Sequence, residues 1–293
     1  MSTRKWFVTR HPVAVYFATT FAISWGAAAA AIGGSGGMRG TTPGSDPRFA
    51  YALIGMLAGP SAAGILLTAL LYGRKGVREL FARMRAWRVG VEWYAVALLT
   101  APLVMLATLL ALSVASPAFL PGIFTSDHKT SILLVGAAVG LSAGIFEEVG
   151  WTGFAIPTVR RRHHLAATGL MVGIWWSAWH LLPNVWSSRA ASGELPMSLF
   201  AAATALSIFI GYLTAFRVLM VWVYEHTESV FVAMLMHASF TASLLILNPV
   251  GISGTNLEAY SFALAGAVWL VVAAVAIADR RRRSHAPVRR RAA

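Results

Sequence analysis

The sequence predicts an all-α fold, a polytopic transmembrane helical bundle with about eight spans. Three observations carry that prediction. Hydrophobic residues make up 57% of the 293 positions and charged residues only 12%, a balance foreign to a water-soluble domain of this size. Apolar runs of about twenty residues, the length at which a helix crosses a bilayer core, recur along the whole chain. The basic residues between those runs are distributed very unevenly over the two sides that the runs define.

The first run, Pro12 to Ile32, follows Arg4, Lys5 and Arg10. Ala27 to Ala31 has the small residues of a signal-peptide cleavage region, but a signal's apolar core is about 7 to 15 residues long, and this longer run is expected to stay as a first span. Gly33 to Arg48 reads as a Gly-rich external loop. Phe49 to Tyr72 is the second span, with Gly59-Pro60-Ser61 and Gly64 marking a kink or a close helix contact. Six basic residues between Arg74 and Arg88 interleave with Leu80, Phe81, Met84 and Trp87 at helical spacing, so 74–91 reads as an amphipathic helix on the anionic inner face of the bilayer. The remaining spans are expected at Trp93 to Leu120, Ser131 to Val159, Leu165 to Trp186, Leu195 to Phe216, Ser229 to Pro249 and Ala259 to Ala278, with a basic tail over 280–293. No internal repeat or separate soluble domain is evident, and 1–293 reads as one membrane domain.

Eight spans put both termini on one side. If that side is cytoplasmic, only Arg39, Arg48, Lys129 and Arg189 of the 24 basic residues fall outside, and Arg217 belongs to an inner loop. The expected location is the plasma membrane with both termini cytoplasmic. The net charge of +13 is then a matter of topology, and nucleic acid is not an expected partner. Membrane lipid and a membrane-associated peptide or protein are; the oligomeric state stays open. Cysteine is absent, which removes disulfides, thiolate zinc sites and a cysteine nucleophile.

Chemistry is sought where ionisable groups enter the apolar runs. Glu147 and Glu148 interrupt a run with no other charge from Ser131 to Val159. An acidic side chain at the centre of a span costs roughly 2.5 to 3.5 kcal/mol, so the pair is expected to face a polar interior. Only His180 and His237 among the histidines fall inside spans; the other acidic residues, Glu258 among them, read as loop or span-end groups. Counted from the cytoplasmic ends at 1.5 Å per residue, Glu148, His180 and His237 lie at roughly 14 to 24 Å and can meet in one layer.

Glu147-Glu148 with Gly150-Trp151 and Gly153-Phe154, His180 after Trp175-Trp176-Ser177-Ala178-Trp179, and His237 within Met234-Leu235-Met236-His237-Ala238-Ser239 together resemble the CPBP family of intramembrane proteases, which includes CAAX prenyl endopeptidases and bacteriocin-immunity-like (Abi) proteins. The similarity runs over about 55–247. The chain departs from the family's pattern at three places. Thr152 stands where the family has an arginine, so Glu148 either is protonated or needs another partner, for which Arg217 is the candidate. Trp176 replaces a phenylalanine, and Thr241 replaces an asparagine one turn after His237.

The resemblance implies peptide-bond hydrolysis. One route uses water activated by Glu147 with Glu148 beside it, His180 holding the water, and His237 with Thr241 donating to the oxyanion. The other route is a zinc bound by Glu147, His180 and His237. Trp151, Trp176 and Trp179 read as packing or as walls of a substrate groove. Gly33-Gly34-Ser35-Gly36 and Gly251-Ile252-Ser253-Gly254 match a short serine-protease pattern, but in expected external loops away from any intramembrane histidine. No His-Glu-x-x-His run exists. A proton-coupled transporter and a catalytically idle membrane binding or immunity protein remain the alternatives from other classes.

Overall fold

The computed structural model describes residues 3–33 and 47–285, without the side chains of 3–6, 185–190 and 283–285. Most of the expected loop after Gly33, Arg39, the first Gly-Gly-Ser-Gly pattern and the tail beyond residue 285 lie outside the described residues. Within them the chain is an all-α bundle and an integral membrane protein. A short α1 (Thr3–Arg10) leads into α2 (Pro12–Ile32), α3 (Arg48–Met84) and α4 (Val91–Ser113). After α5 (Gly122–Thr125) come α6 (Lys129–Arg160), α7 (Leu165–Trp179), α8 (Leu181–Ser192), α9 (Met197–Thr227), α10 (Val230–Leu247) and α11 (Gly254–His285). Seven of these helices, all but α1, α5, α7 and α8, are long and apolar enough to cross a membrane.

The expected fifth span differs from a single helix. α7 has 15 residues, which extend only about 22 Å, and the chain breaks at His180 before α8 begins. The basic segment after the second span is helical to Met84, with Arg74, Lys75, Arg78, Arg85 and Arg88 exposed. Gly73 departs from helical geometry at φ 62°, ψ −158°, and the turns that follow pack inward: Leu80 is fully buried, and Arg83 Nη1 donates to the Tyr224 hydroxyl at 2.6 Å.

Prolines explain much of how the helices are fastened. A proline has no N–H, so the carbonyl four residues earlier loses its helical bond. At four places another helix supplies the missing donor. The Met56 carbonyl, orphaned by Pro60, accepts from Ser24 Oγ of α2 at 2.7 Å. The Leu98 carbonyl, orphaned by Pro102, accepts from Ser239 Oγ of α10 at 2.8 Å. The Gly153 carbonyl, orphaned by Pro157, accepts from Arg83 Nη2 of α3 at 2.9 Å. Where α7 gives way to α8 ahead of Pro183, the Trp179 carbonyl accepts from Trp25 Nε1 of α2 at 3.1 Å.

Small residues set the approach of the helices that carry the site. Gly140 and Gly144 lie on one face of α6, and a Cβ at either would collide with the α10 backbone, at the carbonyl oxygens of Ala238 and Met234 respectively. Gly150 meets the Pro60 carbonyl in the same way. These contacts bring α10 and α3 against the turns of α6 next to the glutamate pair.

Candidate functional site

The glutamates end the regular part of α6, and from Trp151 to Ala155 the helix widens into a π turn, a distortion that recurs at functional sites. Residues four positions on therefore fold back over the pair. Trp151 Nε1 donates to Glu147 Oε2 at 3.2 Å, and the Thr152 hydroxyl donates to Glu148 Oε2. From α7, Trp176 Nε1 donates to the same Glu147 Oε2 at 2.9 Å.

Glu148 is fully buried and saturated with donors. Arg217 Nη1 reaches both of its oxygens, at 2.9 and 2.8 Å, and His237 Nδ1 donates to Oε1 at 2.7 Å. The expectation that Arg217 belongs to an inner loop is corrected here: it sits in α9, has 0% exposure, and is the partner that Thr152 does not provide. Its guanidinium carbon also lies 4.1 Å from the centroid of the Trp176 ring, which desolvates the cation without leaving it unopposed. Trp176 thus joins the two glutamates, touching Arg217 with its face and Glu147 with its N–H.

The histidines are oriented by their other ring nitrogens. A carbonyl only accepts, so His180 Nδ1 donates to the Trp176 carbonyl at 2.8 Å and Nε2 is the free nitrogen. His237, held through Nδ1 by Glu148, places Nε2 3.9 Å from Glu147 Oε2. His180 is half-buried at the α7–α8 break, with its ring edge-on to Trp176 at 5.2 Å and to Trp179 at 4.9 Å. Trp151, Trp176 and Trp179 are all buried; Trp179 packs edge-on to Trp151 at 6.3 Å. Thr241 is half-buried one turn beyond His237, and the hydrogen bonds around the glutamates are made without it.

Sequence reasoning placed Glu258 at a span end, and it does lie in the first turns of α11, but its burial was missed: it accepts from Thr204 Oγ1 at 2.8 Å and Ser207 Oγ at 3.0 Å, where α9 has its own π segment. The signal for Arg217 was present. It interrupts an apolar stretch, Ala215-Phe216 before it and Val218 to Val223 after it, just as the glutamates do.

A zinc at Glu147, His180 and His237 requires their donors to converge on one point. Among the described residues no three His, Asp or Glu side chains do so, and Glu147 Oε2, the oxygen near His237, is already shared by two indoles. These side chains, as placed, do not form a three-ligand metal centre.

Membrane-spanning helices that enclose two carboxylates, two imidazoles and a buried arginine define a polytopic membrane protein with an intramembrane polar centre. Residues 129–243, which run from α6 into α10 and contain every residue of that centre, match the family model described as Type II CAAX prenyl endopeptidase Rce1-like. That match agrees with the resemblance drawn from the chain's motifs. Over 57 residues it is 35% identical to CAAX prenyl protease 2 of Methanococcus maripaludis, a stretch covering 20% of this chain and 19% of that protein. The chain thus aligns with about a fifth of the length of that curated relative.

Proposed function

We propose that this protein is an intramembrane endopeptidase that hydrolyses a peptide bond in a membrane-associated or lipidated peptide, using a water activated by Glu147. The observation that carries the reading is the difference between the two glutamates. Glu148 has donors from three side chains on its two oxygens, whereas both bonds to Glu147 fall on Oε2 and no described residue donates to Oε1. Glu147 keeps an oxygen for a substrate proton; Glu148 serves to hold Arg217 and His237.

In this reading a water lies between Glu147 Oε1 and His180 Nε2, which accepts its second hydrogen. Glu147 takes one proton as the water oxygen adds to the scissile carbonyl carbon. The resulting oxyanion is stabilised by His237 in its protonated form, which donates from Nε2 while Nδ1 stays on Glu148, with the Thr241 hydroxyl as a second donor. Collapse of the tetrahedral species breaks the C–N bond, and the proton on Glu147 passes to the leaving nitrogen. Indole and phenyl groups around the site keep bulk water away, so these donors act in a low dielectric. The matching family is one of prenyl endopeptidases and the matching relative is a CAAX prenyl protease, which supports a lipidated or membrane-bound peptide as the substrate class.

The test is cleavage of a peptide library, including lipidated peptides, by the full chain in liposomes. Glu147→Gln is expected to lower kcat by at least about 100-fold, the usual scale of a lost general base, with little change in unfolding temperature. Hydrolysis is expected to survive a chelator. Equal turnover by wild type, Glu147→Gln, His180→Ala and His237→Ala would sink the protease reading. Proton-coupled uptake that disappears with the same substitutions would put a transporter in its place.

A further inference from the structure

We infer that the cavity between α2, the part of α3 just before Gly73 and the α6–α7 junction is a binding site for an anionic phospholipid. The cavity is separate from the glutamate centre, encloses about 540 Å³ and opens to one side. Its mouth is basic: Arg161, Arg162 and His163 follow the end of α6, Arg10 ends α1 and His11 precedes α2. No carboxylate is among the residues that line it. Its deeper wall is apolar, formed by Phe17, Met171 and Trp175.

Charge and apolar surface are separated along the helix axes, as an amphiphile requires. Phe17 lies six residues beyond His11, about 9 Å along α2, and Trp175 lies ten residues beyond Leu165, about 15 Å along α7. A phosphate at the mouth therefore leaves an acyl chain running against these side chains at hydrocarbon depth. The surfaces are prepared for it. Phe17 stacks on Trp175 with centroids 5.1 Å apart, and Trp175 and Met171 remain exposed on their outer sides. Arg161 is held at the mouth by the Tyr72 ring, 5.1 Å from its guanidinium carbon. A small soluble anion would pair with Arg161 and Arg162 but leave the apolar wall bare, so the lipid is the occupant that uses both. The inference does not depend on the proposed peptidase activity.

Native mass spectrometry of the full chain, released from phosphatidylcholine nanodiscs doped with phosphatidylglycerol, tests the site. Wild type is expected to retain one phosphatidylglycerol, and Arg161→Glu/Arg162→Glu to lower that retention at least about tenfold. Met171→Trp, which fills the apolar wall without changing charge, is expected to lower it too, with both variants checked for an unchanged unfolding temperature in phosphatidylcholine alone. Arg281→Glu/Arg282→Glu, an equal charge reversal elsewhere on the chain, is expected to leave retention intact. Equal loss in both charge-reversed pairs, equal retention of phosphatidylcholine, an unaffected Met171→Trp, or displacement of the lipid by inorganic phosphate would each overturn the proposal.

Discussion

Glu148 can sit out of contact with water because Arg217 lies across both of its oxygens. Removing one partner of a buried pair strands the other, at a cost of about 3–5 kcal/mol. Arg217→Ala is accordingly expected to lower stability by that amount, measured as chemical unfolding in detergent, and to abolish hydrolysis with it. Thr152 already bonds to the same carboxylate from one turn along α6, so Arg217→Ala/Thr152→Arg is expected to regain most of both losses. Failure of this second variant alone would show that the cation must approach from α9. At this scale the sequence was informative about the glutamates and histidines, because an ionisable group within an apolar run is costly wherever the run lies. It named Arg217 as a partner for Glu148 but counted it with the inner-loop cations. That residue fell at the edge of an expected span, where a basic side chain already has a topological explanation, and the apolar residues on both sides of it were the only local sign of burial.

Elements show a second kind of incomplete legibility. Pro60, Pro102, Pro157 and the glycines of α6 are visible in the sequence as places where a helix gives up a bond or permits close approach. The donors that answer the prolines are distant in sequence, as Ser239 is from Leu98, and ordinary in type. The pairing of Pro102 with Ser239 makes a clean cycle. Ser239→Ala is expected to cost about 1–3 kcal/mol by leaving the Leu98 carbonyl unsatisfied, whereas in a Pro102→Ala background, where the helix regains its own N–H, the same change is expected to cost much less. Urea titration of the four proteins in one detergent measures the coupling. Gly144→Val tests the close approach of α6 and α10. Its added carbons meet the Met234 carbonyl, and a loss of about 1–3 kcal/mol is expected. The π turn at Trp151–Ala155 was not foreseen. It arises in a stretch where Thr152, Trp151 and Arg83 each bond to something other than the regular helical ladder.

For the whole molecule, the absence of cysteine allows the proposed orientation to be read directly. Single cysteines at Arg162 and Thr227 are expected to be shielded from a membrane-impermeant maleimide added to intact cells and to react after permeabilisation, while Lys129→Cys is expected to react from outside. Reversed labelling would invert the topology and put the basic end, with its lipid cavity, in the other leaflet. Composition and the length of the apolar runs were enough to determine the class of fold and to mark eight expected spans, seven of which are long helices, since burying backbone polar groups in hydrocarbon leaves helices as the only economical solution for such runs. Spacing and residue type were enough to nominate Glu147, Glu148, His180 and His237. The tertiary structure decided which of these act together and how. It split the fifth expected span at His180, brought Arg217 across from α9, and gave one glutamate a full set of donors and the other an open oxygen. Those outcomes depend on side chains tens of residues apart meeting within about 3 Å, a distance set by packing and not by any local pattern.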